Sequence, residues 1–331
     1  MERFAKPAPA DAPASPTALG LAPTVAFAEL TFLEEIGRGA FGRVHRGEYR
    51  GAAVAIKGIA LRALVAQSLQ KYLFSELEAL QANRHANLIR YFGAAQSGAE
   101  LYIVTEFMDG GALSGLGSAL ATLPWRLRVA LARAAAEGLA CLHASELLHR
   151  DIKTENLLLD DAWRLVIADY GFSKRVADLR GGSRQPGTIL GTEAFMAPEV
   201  TFGEAYGEHA DVFSLGCVLA QLLTGLPPGR GGFLERTPRN KFAADLAQLR
   251  AAAPADAPPS FVECACQCLA YEPDARPASE DVLLWLRDLE RELPEVDLAA
   301  LPKPSALQAA ARAAAAQAGA AAADGGGAGD C

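Results

Sequence analysis

His149-Arg150-Asp151-Ile152-Lys153-Thr154-Glu155-Asn156 and, downstream, Asp169-Tyr170-Gly171 bracket the stretch that decides the fold. Between them lie Leu157-Leu158-Leu159, the turn residues Asp160-Asp161, and Leu165-Val166-Ile167. Two short apolar runs around an Asp pair read as a β-hairpin. The midpoint between Asn156 and Asp169 falls inside the turn. An antiparallel pairing therefore sets these two residues side by side at the open end. An amide oxygen and a carboxylate held together are hard ligands suited to Mg²⁺, which takes waters and phosphate oxygens for the rest. Asp151 lies just upstream, within reach of the same end, and can accept the proton of an incoming hydroxyl. Lys153, two residues on, can neutralise charge growing on a phosphoryl group.

Upstream, Gly37-Arg38-Gly39-Ala40-Phe41-Gly42-Arg43-Val44 reads G-x-G-x-x-G-x-V. Dinucleotide-binding turns use the same glycines, but they open a helix. Here β-branched residues on both sides predict strand, turn, strand. Glycine lets such a turn lie close over a ligand with its N–H groups aimed at phosphate oxygens. Val54-Ala55-Ile56-Lys57 follows at the distance of the next strand. Side chains alternate along a strand, so Ala55 and Lys57 share one face and Val54 and Ile56 the other. A small residue beside a lysine leaves room for a flat base and supplies a cation for phosphates. Leu69, Tyr72, Leu73, Leu77 and Leu80 then recur at helical spacing, and Glu76 falls on that apolar stripe. A carboxylate on an inward face needs a partner to offset its desolvation, and Lys57 is the candidate.

The 331 residues suffice for two lobes around a cleft. Thr31 to Ile36, Val44 to Tyr49, Ala52 to Ile56 and Leu101 to Thr105 are strand candidates in the first third, and the remainder is rich in helix. The expected fold class is therefore α+β: a small antiparallel sheet with one main helix, then a larger, mostly helical lobe. Val212 to Leu226 is the longest apolar run; it is too short to span a bilayer and reads as a buried helix. The net charge of -8 argues against general affinity for nucleic acid or anionic membrane. The six cysteines match no disulfide framework, and Cys264-Ala-Cys266-Gln-Cys268 reads as helix rather than metal site. A reduced, cytoplasmic setting is expected, with nuclear residence or organelle import as alternatives. Residues 1–28 are rich in Ala and Pro and are expected to be a disordered tail; 29–292 form the globular body; 293–331 are an Ala/Gly-rich segment with no apolar face to bury.

With these residues in this order, the chain resembles the eukaryotic protein kinase superfamily, from about Thr31 to Leu289. The resemblance implies a bilobal fold, ATP with Mg²⁺ (or Mn²⁺), and transfer of the γ-phosphoryl group to protein substrates. It implies that Ile36, Gly37, Gly39, Gly42 and Val44 cover the nucleotide and Lys57 holds its α and β phosphates. Ala55, Thr105, Glu106, Met108 and Leu158 would surround adenine, with the lobes meeting between about residues 106 and 109. Glu76 would pair with Lys57, Asp151 would be the catalytic base assisted by Lys153, and Asn156 and Asp169 would hold the metal. Glu199 of Met196-Ala197-Pro198-Glu199 would pair with Arg276. Asp211 would steady the catalytic loop while capping the apolar helix that it opens. Lys153 and Gly191-Thr192 resemble the Ser/Thr rather than the Tyr pattern, with Thr192 bridging Lys153 and Asp151. Arg150 would receive a phosphate placed by an upstream kinase on Ser183 or Thr188, the alternative being a segment that is ordered without phosphate. The alternative, a pseudokinase scaffold, ordinarily lacks one of the key side chains; Lys57, Glu76, Asp151, Asn156 and Asp169 are all present. Tyr170 replaces the usual Phe, and Ala112 stands where many basophilic relatives carry Glu.

Overall fold

The computed structural model describes residues 24–39, 42–60, 77, 81, 83–169, 174–175, 194–229 and 231–324. Of the expectations above, the main helix with Glu76 lies outside these residues, except that Leu77 and Gln81 are helical and Leu77 is buried. Tyr170, Ser183, Thr188 and Thr192 lie outside them too. The chain divides into two compact units, Met1–Phe74 with Arg90–Phe107, and Ser75–Ile89 with Met108–Cys331.

The first unit is a five-stranded antiparallel sheet. Strands β1 (Leu30–Gly39), β2 (Gly42–Tyr49), β3 (Ala52–Ala60), β4 (Tyr91–Ser97) and β5 (Glu100–Glu106) stand in the order β1-β2-β3-β5-β4. The period-2 reading of β3 holds: Val54 and Ile56 are fully buried, whereas Ala55 and Lys57 are half-buried. Val54 and Ile56 join Val25, Leu30, Tyr49, Ala95 and Val104 in one core cluster. Residues 24–28 do not belong to a loose tail. The Thr24 and Val25 amides both donate to Ala94 O, at 2.8 and 3.0 Å, and Val25 is buried. The β-branched pair extends the sheet's core by one more contact, which the surrounding Ala/Pro composition obscures.

In the second unit, β6 (Gly111–Ala112) leads into a 3-10 helix, Leu113–Thr122, and then α1 (Trp125–Ala144). β7 (Leu147–Leu148) precedes the hairpin of β8 (Leu157–Leu159) and β9 (Leu165–Ile167). α2 (Pro198–Thr201) starts with proline at its first position, where the missing N–H is no loss. α3 (Glu208–Thr224) is buried along Ala210–Leu223, all round, as the apolar run predicts. From Pro227 to Asp245 the described residues form turns, irregular backbone and a short 3-10 helix (Pro238–Asn240), followed by α4 (Leu246–Ala252), which Asp245 caps. α5 (Pro259–Cys268) carries the three cysteines, all buried, with Cys266 offset from Cys264 and Cys268. α6 (Ser279–Glu292) packs on α1. α7 (Pro304–Asp324) closes the described chain. Its first turns correct the expectation of a segment with nothing to bury: Pro304 and Gln308 are buried against the second unit. Among the described residues no helix is long and apolar enough to cross a membrane.

Candidate functional site

The hairpin places the second unit's candidate groups. β8 and β9 pair with Leu157 opposite Ile167 and Leu159 opposite Leu165. One step further, Ala168 N donates to Asn156 O at 2.8 Å. Asn156 thus stands opposite Ala168, and Asp169 is the next residue rather than its direct partner. The difference of one position comes from the turn, where Trp163 takes a left-handed φ of 66° and Asp160 accepts from the Arg164 and Ala162 amides. Asp169 also sits at a positive φ, 64°, and is exposed. Such backbone strain in a non-glycine residue recurs at functional sites.

Asp151 is 5% exposed. Its Oδ2 receives Lys153 Nζ at 2.7 Å and Asn156 Nδ2 at 2.9 Å, and Asn156 Nδ2 also donates to Asp151 O at 2.8 Å. The amide nitrogen of Asn156 is therefore spent on Asp151, which turns its carbonyl oxygen the other way. A buried carboxylate that carries a cation and an amide on one oxygen is compensated for its desolvation. Sequence spacing had grouped Asp151, Lys153 and Asn156, and the structure brings all three together.

The loop carrying them is held from beneath. Asp211 Oδ2 accepts from His149 N at 2.7 Å, and Asp211 Oδ1 from Arg150 N at 2.7 Å. Arg150 has a φ of 69°, so two successive amides converge on one carboxylate. His143 Nε2 lies 3.2 Å from Asp211 Oδ2, and His143 Nδ1 2.9 Å from Ser279 Oγ. Asp211 does not open its helix, as the sequence suggested. α3 starts at Glu208 with Gly207 as N-cap, and Asp211 sits inside the first turn with its side chain turned to the loop. His149 Nδ1 accepts from Asp151 N at 3.3 Å while Nε2 faces Ala168 O at 3.2 Å. That pair of contacts requires the proton on Nε2. Through one imidazole the catalytic-loop candidate and the Asp169 strand are tied together. Thr154 Oγ1 donates to Gln221 Oε1 on α3 at 3.1 Å, a second strut. His143 and Gln221 were missed because their partners lie far off in the sequence, and His149 stands in the quoted motif without a role because its contact with Ala168 is not local.

Burial alone would raise the Asp211 carboxyl, but the His143 hydrogen bond, the nearby imidazoles and the backbone amides overturn this and hold it below its ordinary value. A depressed carboxyl contributes stability that is complete above its unfolded pKa and is lost as pH falls through the folded one. At neutral pH, Asp211→Asn is expected to cost about 1–3 kcal/mol, because an amide NH₂ then faces a buried backbone N–H. The gap between wild type and variant in urea unfolding should close on acidification below about pH 4. A gap that widens in acid would contradict this.

At the end of the 194–199 stretch, Arg276 meets Glu199 in a bidentate pair, Nη1 to Oε1 at 2.7 Å and Nη2 to Oε2 at 2.9 Å. The remaining donors reach Ala270 O, His209 O and Tyr271 O. All five guanidinium N–H groups are thereby used, inside the protein. Arg276 and Arg236 also lie over the Phe213 ring, at 4.9 and 4.8 Å.

In the first unit, Val44 opposes Lys57, and Lys57 opposes Ile103, while Ala55 opposes Thr105. Opposed residues in an antiparallel pair share a face, so Val44, Ala55, Lys57 and Thr105 line one side of the sheet. β1 and β2 pair with Gly39 opposite Gly42, which gives the two expected strands; Ala40 and Phe41 between them lie outside the described residues. Gly42 is needed there: a Cβ would lie 1.8 Å from Gly58 O. Ile36 and Gly37 are exposed on β1. Glu106 exchanges bonds with Arg90, donating N to Arg90 O at 2.9 Å and accepting Arg90 N on Oε1 at 2.8 Å. In the second unit, Met108 O accepts from Gly111 N at 3.1 Å, and Leu158 pairs with Ala112.

Among the described residues no group of three or more His, Cys, Asp and Glu could hold a metal. Asn156 and Asp169 bring an amide oxygen and a carboxylate to adjoining positions of the hairpin end, and hard oxygen donors of this kind suit Mg²⁺, which takes phosphate oxygens and water for the rest.

A family model of the protein kinase domain matches residues 30–284. A protein of Dictyostelium discoideum named "Probable serine/threonine-protein kinase" is 35% identical over 304 residues, 80% of this chain and 39% of the relative. A second of the same description and organism is 36% identical over 262 residues, 77% of this chain and 60% of the relative. The "Dual specificity testis-specific protein kinase 1" of Rattus norvegicus is 33% identical over 280 residues, 82% of this chain and 43% of the relative. The chain thus spans less than two thirds of the length of each of these relatives.

Proposed function

Since the chain belongs to the protein kinase domain family, we propose that it is an active protein serine/threonine kinase that transfers the γ-phosphoryl group of ATP to hydroxyls of protein substrates. The observation that carries this is the buried Asp151 carboxylate with Lys153 and Asn156 on a single oxygen, Oδ2. Oδ1 is the atom assigned to the incoming hydroxyl. The hydroxyl oxygen forms its bond to the γ-phosphorus as the bond to the β–γ bridging oxygen breaks. The proton passes to Asp151, ADP leaves, and no phosphoenzyme forms. Lys153 lies against the same carboxylate and balances charge on the transferred group. Lys57 would hold the α and β phosphates. Val44, Ala55, Thr105, Glu106, Met108 and Leu158 would enclose the base under the loop of Gly37, Gly39 and Gly42. Glu76 is assigned to Lys57 as its partner.

The metal site fits the residues present, because the Asn156 amide oxygen is turned away from Asp151 and the Asp169 carboxylate is exposed at the adjoining position. A bound Mg²⁺ (or Mn²⁺) would neutralise phosphate charge and align the triphosphate. Arg150, whose guanidinium lies over the Tyr206 ring at 5.6 Å, is assigned to a phosphate on Ser183 or Thr188, placed by an upstream kinase. The body from 29 to 292 is taken as the catalytic domain, acting in the cytoplasm. One relative's name records dual specificity, so the acceptor must be tested openly. A degenerate peptide library with Ser, Thr and Tyr acceptors and γ-labelled MgATP should be labelled on Ser and Thr. Labelling confined to Tyr would overturn the acceptor class, and nucleotide binding without any labelling would favour a scaffold.

A further inference from the structure

The first turns of α7 enter a socket that the second unit builds from glycine. Gln308 is 4% exposed, and its Nε2 donates to Gly110 O at 2.5 Å and Ala112 O at 2.7 Å. Its Oε1 accepts from Arg312 Nη2 at 3.4 Å. The socket has no room for side chains: a Cβ on Gly115 would lie 2.5 Å from Gln308 Oε1, and one on Gly111 2.7 Å. A Cβ on Gly110 would lie 2.9 Å from Pro304 Cβ. The start of the helix is fastened separately. Asp161, in the β8–β9 turn, accepts Ser305 N at 3.1 Å and Ser305 Oγ at 2.9 Å, with Lys303 Nζ at 3.7 Å. An orphan amide and the positive end of the helix are thus met by a carboxylate from another element. Asp161 N in turn donates to Asp109 Oδ1 at 2.8 Å.

We infer that residues 303–312 are an intrinsic brace for the stretch after Met108, and that Gln308 is a positioning residue for nucleotide binding. Of the carbonyls that Gln308 grips, one precedes β6 and the other belongs to its second residue; the strand has only two residues and pairs with Leu158 and Leu159. A ladder so short holds little on its own. Two side-chain bonds from Gln308 therefore decide how firmly β6, and with it Leu158, is set. The inference rests on the assignment of Met108 and Leu158 to the base.

The test uses the full chain with Gln308→Ala, with Gly115→Ala, and with Gln317→Ala on the exposed part of α7 as control. The methyl in Gly115→Ala takes the space of the carboxamide, so the same loss is reached from the opposite wall without touching the helix. Both are expected to weaken ATP binding about three- to tenfold, the range of one or two lost hydrogen bonds, with kcat within about twofold. Amide exchange over residues 110–114 should quicken in both and not in the control. Unchanged exchange, or quickened exchange with unaltered ATP affinity, would overturn the inference. A wild-type protein that binds no ATP would instead overturn the proposed function. The exchange comparison would then still decide the brace: quickened amides uphold it, unchanged amides remove it.

Discussion

Asp151→Asn is expected to lower kcat by about 10³-fold while the KM for ATP stays within about twofold. The substitution keeps the shape and an oxygen acceptor. Lys153 and Asn156, which both bond Asp151 Oδ2, therefore retain a partner and the loop keeps its form. Two further observations protect the fold: the loop amides of His149 and Arg150 are held by Asp211, and His149 bonds the Asp151 amide rather than its carboxylate. What is lost is a base able to take the hydroxyl proton as the phosphoryl group moves. Steady-state kinetics with varied ATP and varied peptide separate the two effects. A tenfold or greater loss of ATP affinity with kcat preserved would assign Asp151 to nucleotide binding instead.

Glu199→Ala should destabilise the second unit by about 3–5 kcal/mol, the usual result of leaving one member of a buried pair without its counter-charge. Glu199 is 5% exposed and Arg276 3%. Three carbonyls and the Phe213 face would still solvate the guanidinium, but no negative charge would remain bonded to it. A fall in Tm on the order of 10 °C follows for a unit of this size. Removing both charges together, as Glu199→Leu with Arg276→Met, should cost less than Glu199→Ala alone, since the desolvation of Arg276 disappears as well. Calorimetry on the two proteins decides it. Equal losses would mean that the pair serves packing rather than charge compensation.

Much of this site is legible from local pattern. Leucine runs around Asp160-Asp161 specify a hairpin, and a hairpin leaves little freedom for what stands at its open end. Alternation along β3 settles which face Lys57 occupies. β4 is hidden because Gly93, Ala94 and Ala95 have weak strand preference, and the strand forms through pairing with β5 and burial. Asp211 shows the limit of local reading. An aspartate before an apolar run suggests an N-cap, but its oxygens are claimed by a loop 61 and 62 residues away. The seat of α7 is invisible for a different reason. An alanine-rich segment offers no apolar stripe, and its docking depends on the absence of side chains at Gly110, Gly111 and Gly115. Such shape fit leaves no periodic trace.

The most direct test of the central claim is a single turnover, with enzyme in excess over γ-labelled ATP and a Ser/Thr peptide present. The proposal predicts that label appears on peptide Ser or Thr in step with ADP, one for one, and that Asp151→Asn binds the same ATP but transfers it about 10³-fold more slowly. ATP held by the wild-type protein with no label reaching peptide, or transfer by Asp151→Asn at the wild-type rate, would contradict it.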